Sequence, residues 1–155
     1  TLHRLAVLFY VASEPAAWMV VNSATLKDNP ALGKALTGAW FEVLALMAEK
    51  DNSAVLEHMA KASGTDLAGY KAQLAETQLF YTPQDTLAFV TQPTLPATMQ
   101  KIAQFSFDHG LLGEGARDPN AVGMSFPAGA AVGDKGNVKL RFDPTYVQLA
   151  ADGKL

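Results

Sequence analysis

The chain contains no cysteine, and this absence excludes several kinds of site at once. Disulfide frameworks, iron–sulfur clusters and zinc sites built from thiolates all require cysteine side chains. None of these can be formed by the chain alone. A reducing cytosol and a periplasm in which thiols would be oxidised both accommodate a cysteine-free protein, so this composition does not decide the compartment.

The chain also lacks an excess of positive charge and any cluster of histidines. Its 155 residues carry 12 Lys and Arg against 15 Asp and Glu, which gives a net charge of −3. The basic residues are scattered and form no stripe, so we expect no nucleic-acid partner. His3, His58 and His109 stand far apart in the sequence and match no metal-ligand spacing. We therefore predict no metal site.

No catalytic motif is present either. The segment "GMSFPAG" contains Ser125, but Pro127 stands where the nucleophile elbow of a hydrolase needs glycine. The segment "GAAVGDKGN" misses the phosphate-loop spacing, and a turn in which Asp134 and Gly136 supply the geometry is the better interpretation. No two carboxylates are spaced as an acid/base pair. These observations predict no catalytic residue, no cofactor and a protein that is not an enzyme.

Apolar residues make up 49% of the chain, enough to fill a core, and their spacing predicts a mostly helical piece with a few short strands. The segment 110–137 is rich in Gly, Pro, Asn and Asp and is predicted to be loop. The predicted helices cover residues 24–28, 30–50, 53–62, a stretch after Thr65, 83–90, 95–109 and 145–151, and the predicted strands cover residues 5–11, 18–21 and 138–142. Ser23 and Thr65 are the expected N-caps of the first and the fourth helix. Inward positions are predicted on the fourth helix, namely Leu67, Tyr70 and Leu74, and on the sixth helix, namely Met99, Ile102 and one of Phe105 or Ser106.

The longest predicted helix, residues 30–50, carries no chemistry of its own. Asn29 is its expected N-cap and Pro30 its first residue, where a missing N–H costs nothing. Apolar residues at spacings of three and four predict one buried face, made of Leu32, Leu36, Ala39, Trp40, Val43 and Met47. Phe41 and Leu44 widen the apolar surface, so we expect this helix to be buried on more than one side.

The N-terminal segment "RLAVLFYVASEPA" admits two interpretations. Its Arg, apolar run and small residues resemble the end of a signal peptide. Residues 5–11 are also short and rich in Val, Phe and Tyr, which favours a buried strand. Glu14 and Pro15 interrupt the apolar stretch, so we expect no membrane-spanning helix there.

Three segments, taken in order, resemble one family. They are "VVNSATLKDNPALGKALTGAWFEVLALM", "MAKASGTDLAGYKAQLAETQLFYTPQDTLAF" and "FSFDHGLLG". Together they resemble the C-terminal half of the periplasmic substrate-binding proteins of ABC importers, in the nitrate, taurine and thiamine-precursor-like group. Within that group the similarity is greatest to urea-transport-associated members. The resemblance covers roughly residues 20–155, and the order of the segments is its most specific feature.

The resemblance implies an α/β chain, the C-terminal portion of a two-lobed periplasmic-binding-protein type II fold. It divides the chain into crossover strands and an inter-lobe turn (1–22), a helical part of one lobe (23–112) and a loop-rich tail with an edge strand and a short helix (113–155). It places Ser13 and Glu14 at the inter-lobe crossover as candidate ligand-binding residues, although an ordinary turn explains "ASEPAA" as well.

The same resemblance implies a function and partners. The chain would bind a small polar solute, with nitrogen-containing solutes among the candidates, in the periplasm and deliver it to a membrane permease. The family's N-terminal half is absent from this sequence, so the other expected partner is that half or a second copy, met through residues 5–11 and 41–44. Two alternatives stay open, namely an enzyme of the same fold acting on a pyrimidine-like substrate and a helical protein-interaction module.

Overall fold

The computed structural model describes residues 19–155, which form seven α-helices, three short strands and two single turns of 3₁₀ helix. This is a mostly helical chain with a small sheet, in agreement with the predicted α/β piece. The helices are α1 (Ser23–Asp28), α2 (Pro30–Ala48), α3 (Ser53–Ala62), α4 (Leu67–Ala75), α5 (Pro83–Thr91), α6 (Leu95–Asp108) and α7 (Thr145–Ala151), and the strands are β1 (Gly123–Ser125), β2 (Ala131–Val132) and β3 (Val138–Arg141).

The predicted elements agree with these bounds in most places. The helices α3 and α7 begin and end at the predicted residues, and α2 ends at Ala48, two residues before the predicted end. The strand predicted over residues 18–21 is wrong for residues 19–21, which have no regular secondary structure. The strands β1 and β2 lie in a segment that was predicted to be loop. The strand predicted over residues 5–11 lies outside the described residues.

The chain divides into two compact units. The first contains the described residues up to Pro83 together with Leu149–Leu155, and the second contains Gln84–Gln148. The chain therefore leaves the first unit once and returns to it at its C-terminal end. The segmentation predicted from the sequence, with boundaries after residues 22 and 112, does not coincide with this division and stays a prediction.

The core of the first unit is built by α2, α3 and α4. Leu44, Met47 and Leu56 are its buried centre, each at most 6% exposed. The side chain of Asn52, just before α3, donates a hydrogen bond of 2.6 Å to the carbonyl oxygen of Met47 and ties the two helices together. Half-buried apolar residues surround this centre, namely Phe41, Val55, Met59, Leu67, Tyr70, Leu74 and Leu79. The inward positions predicted for α4, namely Leu67, Tyr70 and Leu74, are thereby confirmed.

The buried face of α2 differs from the predicted one. The buried residues of this helix are Gly33, Leu44 and Met47. Of the predicted face only Met47 is confirmed as buried. Trp40 and Val43 are 38% and 42% exposed, Ala39 is also exposed, and Leu32 and Leu36 are only half-buried. Apolar residues surround α2 almost completely, so the spacing of these residues is compatible with more than one buried face. Packing against α3 and α4 selects the face that carries Leu44.

The second unit contains a three-stranded sheet in the order β2-β1-β3. β1 pairs antiparallel with β2 and parallel with β3, with a register shift between Gly123 and Met124. Next to the sheet, the buried rings of Phe126 and Phe142 stack with their centroids 4.7 Å apart and their planes at 7°. Offset aromatic stacking of this kind contributes more than area burial alone, so the pair helps to hold β1 and β3 together.

The helix α6 in the same unit buries Leu95, Met99 and Ser106. The sequence predicted Met99, Ile102 and one of Phe105 or Ser106 on this face. Met99 and Ser106 are confirmed, and Ile102 is half-buried. Phe105 is 49% exposed and its ring stacks on that of His109, with the centroids 3.9 Å apart.

Three helix caps differ from the sequence-based expectation. Asn22, rather than Ser23, caps α1, since its side chain accepts hydrogen bonds from the backbone N–H groups of Ala24 and Thr25. Asn29 stands before α2 but makes no side-chain cap bond. Asp66, one residue after the predicted cap, has an extended backbone and caps α4.

We expect Asp66→Ala to lower the free energy of unfolding of the first unit by about 1 kcal/mol, a typical loss for a helix N-cap. The carboxylate of Asp66 accepts a hydrogen bond of 2.7 Å from the backbone N–H of Gly69. In the variant this N–H group would lose its acceptor. Thr65→Ala is the matched control and should cost less. Urea denaturation of both variants measures the difference. A larger loss of stability for Thr65→Ala would show that Thr65 caps the helix, as the sequence predicted.

Candidate functional site

The candidate site is an apolar groove in the first unit, between the C-terminal half of α2 and the helix α3. Its volume is about 410 Å³. Side chains of both helices line it, namely Val43, Leu46, Ala54, Val55, His58 and Met59. Grooves lined mainly by apolar side chains are the usual places where proteins bind small molecules or other protein segments.

The packing of the core explains why these side chains form a groove. Leu44 and Met47 of α2 point into the core beside Leu56 of α3. Because successive helical residues are rotated by about 100°, Leu46 cannot share the direction of Leu44, and its side chain leaves the core beside Val43. Both are more than 40% exposed. The two helices therefore meet over Leu44, Met47 and Leu56 and leave an apolar cleft above this contact.

The chemistry that the groove offers is apolar contact. His58 is the one polar side chain among its lining residues, and it is exposed. Since no acid, base or second metal ligand is among the other lining residues, this imidazole forms neither a proton-transfer pair nor a metal site with them. Within residues 19–155, the structure brings no three His, Asp or Glu side chains together as a possible metal site. The groove is suited to holding an apolar group or side chain, and it offers no catalytic pair.

Exposed apolar residues continue from the groove along α2. Trp40 is 38% exposed, Val43 42% and Leu46 45%. The helix also has the length and the apolar composition of a membrane span, and little of it is buried. Core helices of soluble proteins and signal sequences share this length and composition, so they do not assign α2 to a membrane. It does show how much of its apolar surface faces outward in the described part of the chain.

The candidate ligand-binding residues Ser13 and Glu14 lie outside the described residues. The structure therefore neither brings them together with the groove nor separates them from it. Their proposed role rests on the resemblance of the sequence alone.

Other residues considered from the sequence have structural roles. Ser125 lies in β1, and its carbonyl oxygen accepts a hydrogen bond of 2.9 Å from the backbone N–H of Phe142. The side chain of Asp134 accepts a hydrogen bond of 2.7 Å from the backbone N–H of Gly136, which confirms the predicted turn. His109 caps the end of α6, and its Nδ1 lies 2.9 Å from the carbonyl oxygen of Phe105.

The sequence did not identify the groove, although it held a signal for it. The prediction placed Trp40 and Val43 inside and expected α2 to be buried on several sides. A helix with apolar residues around most of its circumference must leave some of them outside when only one side meets a core. Which side is left outside depends on α3 and α4, and their packing is not visible in the sequence of α2.

The chain matches no protein-family model, no curated protein and no solved structure. Membership of a family is therefore not established by these comparisons. The resemblance described above stays a prediction that rests on the order of sequence segments.

Proposed function

We propose that the chain belongs to the solute-binding component of an ABC importer, as the C-terminal portion of a two-lobed type II binding protein. The observation that carries this proposal is the order of the sequence segments from "VVNSATLKDNPALGKAL" to "FSFDHGLLG". The component binds a small polar solute, with nitrogen-containing solutes as the first candidates, in the periplasm and delivers it to a membrane permease.

One structural feature is compatible with this proposal. The described chain is mostly helical with a small sheet, as the family's C-terminal portion is expected to be. The division into compact units at Gln84 and Leu149 differs from the crossover expected within residues 1–22, so it does not support the proposal.

In the proposed mechanism the protein closes around the solute by a hinge motion, and loops between the lobes hold it. The hydroxyl of Ser13 can donate and accept a hydrogen bond, and the carboxylate of Glu14 can accept two N–H donors of a urea-like group. The helix α2 has a scaffolding role in this scheme, which accounts for its length and its lack of reactive side chains.

Calorimetric titration of the full-length protein with urea, nitrate, taurine and a pyrimidine tests the proposal. We expect one of these solutes to bind with a stoichiometry of one. At a concentration 100 times its Kd it should stabilise the protein by about 2.7 kcal/mol. If the solute that binds is urea or another N–H donor, Glu14→Gln should weaken its binding at least tenfold, because the amide replaces one acceptor oxygen by a donor. Glu57→Gln, an exposed carboxylate of α3, is the matched control and should leave binding unchanged.

Binding of none of the four solutes would contradict the proposal. Chemical conversion of the pyrimidine would favour the enzyme of the same fold. Equal losses for Glu14→Gln and Glu57→Gln would remove the assigned role of Glu14 while leaving the binding function in place.

A second candidate function is a protein-interaction module, and the outward apolar surface of α2 favours it. We propose that this surface is covered by the N-terminal half of the same protein or by a second copy. The sequence placed the interface at residues 5–11 and 41–44. In the range 41–44, Leu44 is buried in the unit's own core, whereas Val43 is exposed. Leu46 and Trp40 lie outside that range and are exposed too, so they extend the accessible apolar surface around Val43. Apolar patches of several hundred Å² on a monomer commonly mark interfaces.

Sedimentation at micromolar concentration, with and without the separately produced N-terminal half, tests this interface. We expect the chain to associate either with itself or with the added N-terminal half. The free chain should also bind an apolar dye. Leu46→Glu should weaken association at least tenfold, because it places a charge in an apolar contact. Gln73→Glu on the exposed side of α4 is the matched control. A compact monomer that binds neither the other half nor an apolar dye would overturn the proposed interface.

A further inference from the structure

We draw no further inference here: the strongest candidate, the apolar groove between α2 and α3 lined by Val43, Leu46, Val55, His58 and Met59, belongs to the surface already proposed as an interface, and nothing among the described residues 19–155 shows what covers it.

Discussion

Leu44→Ala should lower the free energy of unfolding by about 2–5 kcal/mol, the usual cost of emptying a leucine site in a core. Leu44 is 4% exposed and lies at the centre of the first unit with Met47 and Leu56. Removing its side chain loses the transfer free energy of the buried atoms and leaves a cavity among three helices. Few other side chains are buried between these helices, so few neighbours can move into the cavity that Leu44 leaves.

Leu46→Ala is the matched control, since it is the same substitution on the same helix two residues away. Leu46 is 45% exposed, and we expect its loss to cost less than about 1 kcal/mol, as for most surface substitutions. Urea denaturation followed by circular dichroism measures both variants. Equal losses, or a larger loss for Leu46→Ala, would contradict the burial of Leu44 in the core or show that the outward side of α2 is covered.

This pair of substitutions also marks where the sequence was informative and where it was not. The existence of α2 and its start at Pro30 follow from local signals, because a proline at the first helical position and an uninterrupted apolar run act within a few residues. The orientation of α2 does not follow from local signals. Apolar residues surround the helix, and the buried side is selected by contacts with α3 and α4, which are separate in sequence.

The short strands β1 and β2 were missed for a related reason. The three strands contain two to four residues each, and β1 and β2 lie among glycines and prolines that are typical of loops. Their pairing is non-local: Met124 of β1 faces Val132 on one side and Leu140 on the other. Only β3 shows the alternation of apolar and polar residues that a sequence can reveal, and it was predicted.

The candidate site was the least predictable feature. A groove between two helices is formed by side chains that remain outside the core. Because the wrong face of α2 was predicted to be buried, the groove could not be predicted. The candidate residues Ser13 and Glu14 came from a family resemblance instead, and they lie outside the described residues. The sequence therefore predicted the helical content well. Its one signal for the groove, the apolar surface around most of α2, did not show which side chains remain outside the core.

Gly133→Ala should destabilise the small sheet by about 2–5 kcal/mol, because two separate costs add. Gly133 has a φ of +72°, a conformation that costs other residues about 1–2 kcal/mol. A methyl group there would also overlap the carbonyl oxygen of Val122, which is backbone and cannot turn away. Overpacking of this kind typically costs about 1–3 kcal/mol. The turn after β2 would have to open and would weaken the pairing of β1 with β2.

Gly129→Ala isolates the first of these costs. Gly129 has a φ of +81°, but no atom lies within 4 Å of the added methyl group, so only the backbone strain remains. Gly123→Ala isolates the second, since its φ is ordinary while its methyl group would overlap the carbonyl oxygen of Asp134. Hydrogen exchange of the Phe126 and Phe142 amides, which donate to the carbonyl oxygens of Ala130 and Ser125, reports the sheet directly. Protection should fall most for Gly133→Ala and least for Gly129→Ala. Equal losses for these two variants would show that the turn after β2 does not approach Val122 closely.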